Sequence, residues 1–177
     1  MIEKITIKIS FEKKVLKKYF VLFVLIIGVS CNSQTASKKS NDSSIVKYKI
    51  DKTDEQWKDE LTSLQYFVLR QSGTERAFSG KHDKNYDNGL YICAACKAPL
   101  YESNYKFDSR SGWPSFDRGI TKNIEFDVDY KLGYPRSELK CSSCGGHLGH
   151  LFNDGPKKTT GKRHCINSAA LTFIPNK

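Results

Sequence analysis

Between residues 53 and 71 apolar side chains recur at helical spacing. Thr53-Asp54-Glu55-Gln56 and Thr62-Ser63-Leu64-Gln65 each have the Thr-x-x-Gln form of a capping box, which satisfies two orphan amide donors at a helix start. Two short helices are predicted, with Trp57, Leu61, Leu64 and Val68 forming one inward stripe and Phe67 packing beside it. Gly73, after Arg70 and Gln71, is the expected stop. Beyond Gly89 the texture changes to β. Leu90-Tyr91-Ile92 leads into Cys93, residues 101–107 are rich in aromatics, and residues 168–174 form a last run before Pro175. Residues 124–130 alternate apolar and acidic side chains strictly, the mark of a half-buried antiparallel strand. Turn-rich stretches at 109–114, 144–149 and 153–161 separate these runs. The pattern predicts a small α+β domain, mostly antiparallel β with short N-terminal helices.

The first thirty residues have a different character. Lys4, Lys8, Lys13, Lys14, Lys17 and Lys18 precede an apolar run at 19–27, and Gly28-Val29-Ser30-Cys31 follows. A basic start, an apolar stretch of about 11 residues and a small-residue exit describe an export signal. The run falls short of the roughly 20 residues that span a bilayer. A Cys directly after small residues resembles a bacterial lipobox, in which the Cys becomes the lipidated first residue of the mature chain. An uncleaved amphipathic anchor and an ordinary signal peptide are the other readings of the same pattern. Residues 32–44 carry almost nothing apolar and read as a tether. The expected division is a lipoprotein-type signal at 1–30 with Cys31 lipidated, a flexible tether at 31–50 and a folded domain at 51–177. The expected location is outside the cytoplasm, lipid-anchored to the bacterial cell envelope on its periplasmic side.

Composition then narrows the function classes. The 177 residues carry 29 Lys+Arg against 19 Asp+Glu, a formal charge of +10. Without residues 1–30, which hold six Lys and two Glu, the charge falls to +6. Much of the basicity is targeting, so a nucleic-acid binder is disfavoured. The length allows one full core and leaves little room for a second.

Chemistry is concentrated in the cysteines. Cys93-Ala94-Ala95-Cys96 and Cys141-Ser142-Ser143-Cys144 are two Cys-x-x-Cys knuckles 44 residues apart. Two knuckles complete a tetrahedral four-Cys zinc site. Two redox pairs or two short disulfides would use the same spacing; the lack of a thioredoxin-like βαβ pattern favours zinc. Cys165, in Arg163-His164-Cys165-Ile166-Asn167-Ser168, has no such partner. A lone thiol beside a strand is commonly structural, but flanking cationic groups favour the nucleophilic thiolate. His147-Leu148-Gly149-His150 places two imidazoles on a Gly-rich turn after the second knuckle. Four Cys already fill a zinc tetrahedron, so acid–base or hydrogen-bonding roles suit these His better than ligation. Gly112-Trp113-Pro114 is a rigid turn that presents an indole, for recognition or for packing. His82 reads as an exposed loop residue, and the lysines of 157–162 as a solvated loop.

Taken together, Trp57 to Leu61, Gly73-Thr74-Glu75, both knuckles, Gly112-Trp113-Pro114-Ser115-Phe116, His147-Leu148-Gly149-His150, Asn153-Asp154-Gly155-Pro156 and the Cys165 segment resemble a zinc-containing B-type methionine sulfoxide reductase. The resemblance runs from about residue 53 to 174. It implies two antiparallel sheets forming an open barrel, with one structural Zn²⁺ held by Cys93, Cys96, Cys141 and Cys144. It also implies reduction of the R epimer of methionine sulfoxide, mainly peptide-bound, through a cysteine sulfenic acid and an external thiol reductant. Cys165 is then the nucleophile, with His150, His147 and Asn167 catalytic, while Trp113, Phe152 and Arg163 bind substrate. Many relatives carry a resolving Cys just before Gly-Trp-Pro, where this chain has Ser111. The expected reductant is therefore an exported thioredoxin-like protein, acting on a monomer. The rival reading is a zinc-stabilised, non-catalytic binding module, which gives Cys165, His147, His150 and Trp113 no joint task.

Overall fold

The computed structural model describes residues 48–177. The apolar run and Cys31 lie outside the described residues. Both capping boxes form. In α1 (Asp54–Glu60) Thr53 and Gln56 exchange hydrogen bonds, and in α2 (Ser63–Gln71) Thr62 and Gln65 do the same. Gly73 follows the end of α2 as expected, but the left-handed residue that breaks the helix is Ser72. No helix among the described residues is long and apolar enough to cross a membrane.

The predicted stripe holds only in part. Trp57, Leu61 and Val68 are buried, whereas Leu64 is 48% exposed and Phe67 44% exposed. The break at Leu61 and Thr62 restarts the helical phase, so the α1 period does not carry into α2. The second helix turns Val68 and Leu69 inward instead.

Nine strands follow: β1 (Gly89–Cys93), β2 (Pro99–Glu102), β3 (Lys106–Phe107), β4 (Ser115–Phe116), β5 (Ile124–Asp129), β6 (Arg136–Cys141), β7 (His147–Phe152), β8 (Arg163–Ile166) and β9 (Leu171–Pro175). They form two antiparallel sheets, one ordered β2-β1-β9 and the other β3-β4-β8-β7-β6-β5. The mostly-β class with two helices is as expected. Tyr101 stacks on Phe116 at 4.4 Å, and Tyr91 meets the same ring edge-on at 5.1 Å. These buried rings join both sheets, and Leu139, Leu148 and Ile166 extend the core beneath α2.

Four expectations need correction. His147-Leu148-Gly149-His150 is strand β7, not a turn; the turn after the knuckle ends at Gly146. His82 is buried, its ring edge-on to Tyr91 at 5.6 Å, because its loop folds under β1 and β9. Burial pushes its imidazole down to about 4. In β5 only Ile124 is buried, while Phe126 and Val128 are more than half exposed. β5 is the edge of its sheet and α2 packs over β7, so no layer covers that face of β5. Finally, Tyr48 and Ile50 fall within the expected tether, yet Ile50 packs on the core and its amide donates to the Ser143 carbonyl.

Thr53→Ala and Thr62→Ala each delete one capping box. Each is expected to lower the unfolding free energy by about 1 kcal/mol, read from the urea midpoint at unchanged slope.

Candidate active site

The two knuckles are built alike. In the first, the Cys93 amide donates to the Ala98 carbonyl and Lys97 takes a left-handed conformation; in the second, the Cys141 amide donates to the Gly146 carbonyl and Gly145 is left-handed. Each turn aims two thiols at one point. The four sulfurs lie within 4.8 Å of one another, with Cys93–Cys144 at 3.9 Å and Cys96–Cys141 at 3.5 Å. A tetrahedron with metal–sulfur bonds near 2.3 Å has edges of about 3.8 Å. The donor set and its spacing therefore suit a metal ion, which would clamp β1 of one sheet to β6 of the other.

The second constellation lies on the large sheet. Cα pairing runs Ser115–Cys165, Cys165–His150 and His150–Glu138 across four strands. Directly paired residues project to one face, so this row sets Cys165 beside His150. His147 lies three residues before His150, an odd offset that would send it to the opposite face of a regular strand. A bulge prevents this: Leu139 pairs with Gly149 but Lys140 pairs with His147. Both imidazoles thus share the Cys165 face, their rings edge-on at 5.2 Å. Gly149 is also required here, because a Cβ would run into the Cys165 carbonyl.

A cavity of about 120 Å³ opens on this face, with Cys165, His150, Asn167, Trp113 and Phe152 on its wall together with Thr74, Arg136 and Gly149. Five of the seven residues expected in the site converge there. His147 stands behind His150, 2% exposed. Arg163 is turned to Asp154, with paired contacts of 2.8 and 2.9 Å, and lies over the Phe152 ring at 4.3 Å. It braces the cavity wall, and its charge reaches Cys165.

The sulfur environment differs from the expected one. Burial pushes the Cys165 thiol up, and the Arg163 charge and the Ser111 hydroxyl, 3.9 Å from the sulfur, oppose this without outweighing it. His150 is pulled the other way: burial lowers its imidazole and Asp129 only partly compensates. Both groups are therefore neutral near pH 7. Each imidazole has a carboxylate partner. His147 Nδ1 meets Glu138 at 2.5 Å and His150 Nε2 meets Asp129 at 2.8 Å.

Sequence reasoning gave Asp129, Arg136, Glu138 and Glu75 no role. Asp129 was hidden in the β5 alternation, where acids read as solvent-facing. Glu75, in Gly-Thr-Glu, is 4% exposed, and its carboxylate accepts the Ser168 and Ala169 amides. Its carbonyl accepts the Trp113 indole N–H at 3.2 Å, and its amide donates to Asn167 Oδ1 at 3.0 Å. One buried residue thus fixes both the indole and the amide that line the cavity. Gly112 completes the Trp113 turn at φ +86, where a Cβ would strike the Phe78 backbone. A nucleophilic sulfur, an imidazole and two aromatic walls suit attack on a small, partly apolar electrophile.

Comparison with known proteins places this geometry in a family. The SelR domain matches residues 61–175. The peptide methionine sulfoxide reductase MsrB of Leptospira interrogans is 54% identical over 127 residues, 71% of this chain and 96% of its own length. The protein of the same name from Chromohalobacter salexigens is 47% identical over 128 residues, 72% of this chain and 96% of its own. The mitochondrial methionine-R-sulfoxide reductase B3 of Mus musculus is 53% identical over 116 residues, 65% of this chain and 46% of its own. A domain match over more than half of the chain, with the two bacterial relatives this similar across nearly their full length, means that the chain belongs to the SelR-domain family, that of the B-type methionine sulfoxide reductases.

Proposed function

We propose that this chain reduces the R epimer of methionine sulfoxide, chiefly in peptide linkage, to methionine. The observation that carries the reading is the Cys165 sulfur on the wall of the cavity it shares with the Trp113 indole and the His150 imidazole. Sulfoxide sulfur becomes electrophilic only as its oxygen gains a proton. The neutral thiol of Cys165 and the neutral imidazole of His150 hold one transferable proton between them. That proton suffices: a thiol and a sulfoxide give a sulfenic acid and a thioether, with no proton gained or lost overall. In this reading His150 takes the proton from Sγ as the sulfur attacks and delivers it to the sulfoxide oxygen. That oxygen passes to Sγ as its bond to the substrate sulfur breaks, which leaves the substrate a thioether. Asn167 spends its Oδ1 on the Glu75 amide and one N–H on the Leu148 carbonyl, leaving its second N–H for the substrate oxygen. His147, held by Glu138, packs against His150 and keeps its ring in place. As the sulfur gains cationic character, the Trp113 face stabilises it by roughly 0.5–2 kcal/mol, and Phe152 closes the apolar side.

Cys165 is left as a sulfenic acid. Ser111 stands 3.9 Å from its sulfur and cannot form a disulfide. An external thiol then condenses with the sulfenic acid, releasing water and giving a mixed disulfide; a second thiol frees Cys165. An exported thioredoxin-like protein fits this role. The four-Cys cluster holds Zn²⁺, which is redox-inert and serves structure. Residues 1–30 are read as a lipoprotein signal, with Cys31 anchoring a monomer to the periplasmic side of the cell envelope.

The deciding experiment is thiol-driven reduction of a racemic peptide sulfoxide. The wild-type chain should stop near half conversion with the S epimer left over, and Cys165→Ser should lose about 10³-fold or more in rate. Wild-type rates in Cys165→Ser would remove the proposal. Because His150 is lowered below the ordinary 6.5 and Cys165 raised above the ordinary 9.0, the pH profile of kcat/KM should be a plateau that outreaches both values. It falls on the acid side when His150 gains a second proton and on the alkaline side when the pair loses its only one. A narrow maximum inside that interval would contradict the proton count. Ser111→Cys should convert the chain to one that forms a 111–165 disulfide after a single turnover without external thiol, detected by peptide mass spectrometry.

A further inference from the structure

The acidic residues of β5 read as a solvated face in the sequence, yet the last of them is tied into the cavity. Asp129 Oδ2 lies 2.8 Å from His150 Nε2, and the same oxygen meets Arg136 Nη2 at 2.5 Å. Asp129 Oδ1 accepts the Lys131 amide at 2.7 Å. Arg136 is the Cα partner of Asp129 across the β5–β6 pair, and its side chain also lines the cavity. Three donors converge on one carboxylate whose side chain is 10% exposed. Burial works against its charge, but the Lys131 amide, His150 and Arg136 together outweigh it and hold the carboxyl down at about 2. Asp129 is thus an anion throughout the working range, and an anion accepts only.

We infer that Asp129 is the positioning residue for His150, fixing its tautomer so that Nε2 carries the proton and Nδ1 is the nitrogen that serves Cys165 and the substrate oxygen. This rests on the reading of His150 as the proton carrier and deepens it. An ionised carboxylate at Nε2 requires an N–H there, because the oxygen has nothing to donate. In the neutral ring the lone pair then sits on Nδ1, and among the described residues no group bonds to that atom. His147 is held the other way round, through Nδ1 to Glu138, with Nε2 buried and without a partner among the described residues. The two imidazoles are therefore locked by opposite nitrogens. When His150 takes the thiol proton, the resulting imidazolium faces Asp129 directly, so the charge is neutralised where it forms. Other charged or titratable groups near the ring are Arg136 and Glu138 on β6, His147 on β7, and Cys165 and Arg163 on β8. Of these, Arg136 and His147 oppose the imidazolium; Asp129 is the anion in contact with it. Asp127, two residues earlier on the same face, pairs with Lys140 instead and is the natural control.

The test combines a structural and a kinetic readout. Two-bond ¹H–¹⁵N correlation spectra of histidine-labelled protein report each ring's tautomer without any substrate. In the wild type His150 should be protonated at Nε2 and bare at Nδ1. A wild-type spectrum showing the Nδ1–H tautomer overturns the inference outright, so the test does not depend on any variant folding. Asp129→Asn, nearly isosteric, should release the tautomer lock and move the acid limb of kcat/KM about one pH unit lower. It should also cut kcat by about tenfold or more, with KM changed less than twofold. Asp127→Asn should leave tautomer, profile and kcat as they are. A purely structural Asp129 predicts otherwise: a lower melting temperature in Asp129→Asn with an unmoved acid limb and unchanged tautomer, which also overturns the inference. If the wild-type chain reduces no sulfoxide, the reductase reading fails, while the spectra still judge the Asp129–His150 link.

Discussion

The chemistry of this chain hangs on the register of two short strands. β7 and β8 pair so that His150 faces Cys165, and Gly149 lies flush against the Cys165 carbonyl. A slip of one residue would send either side chain to the other face of the sheet, because side-chain direction alternates at every position. The pairing extends through β4 on one side and through β6 on the other, so a row of side chains from four strands shares the Cys165 face. A single bulge then brings His147 to that face. Side chains held by backbone ladders lose little further freedom when substrate arrives, and a preorganised site follows from this.

Burial and charge act differently on that face. Cys165 and His150 are driven toward their neutral forms by desolvation. The charged residues around them neutralise one another: Asp129 with Arg136, Arg163 with Asp154. The cavity therefore carries little net charge while strong dipoles lie close to it, an arrangement in which electrostatic interactions retain their strength. Glu75 does the equivalent for geometry. Its backbone and carboxylate tie the Trp113 turn, Asn167 and the segment before β9 into one unit. The four-sulfur cluster joins the two sheets where β1 and β6 end.

Much of this could be read from the chain alone, and the reasons are local. Capping boxes are four-residue events, and both formed where their letters stand. Cys-x-x-Cys is likewise a self-contained turn, so the pairing of Cys93 and Cys96 with Cys141 and Cys144 needed no knowledge of the fold. That Cys165, His150, Trp113, Asn167 and Phe152 would share one site was implied by the family resemblance, which itself rests on several motifs in a fixed order. Where the reading failed, a long-range neighbour decided. Leu64 and Phe67 continue a helical period, but the break at Thr62 shifts the phase. Phe126 and Val128 alternate correctly, yet alternation only says that two faces differ; it does not supply a layer to cover the apolar one.

The amino-acid sequence determined most of the element types and the two thiol knuckles, because each depends on residues close together in the chain. Only the tertiary structure decided the protonation states and the partners. Asp129 reaches His150 across 21 positions and Glu75 reaches Asn167 across 92; desolvation of Cys165 is a property of the packed sheet. No local pattern encodes these, since the free energy of a charge is set by what surrounds it in space.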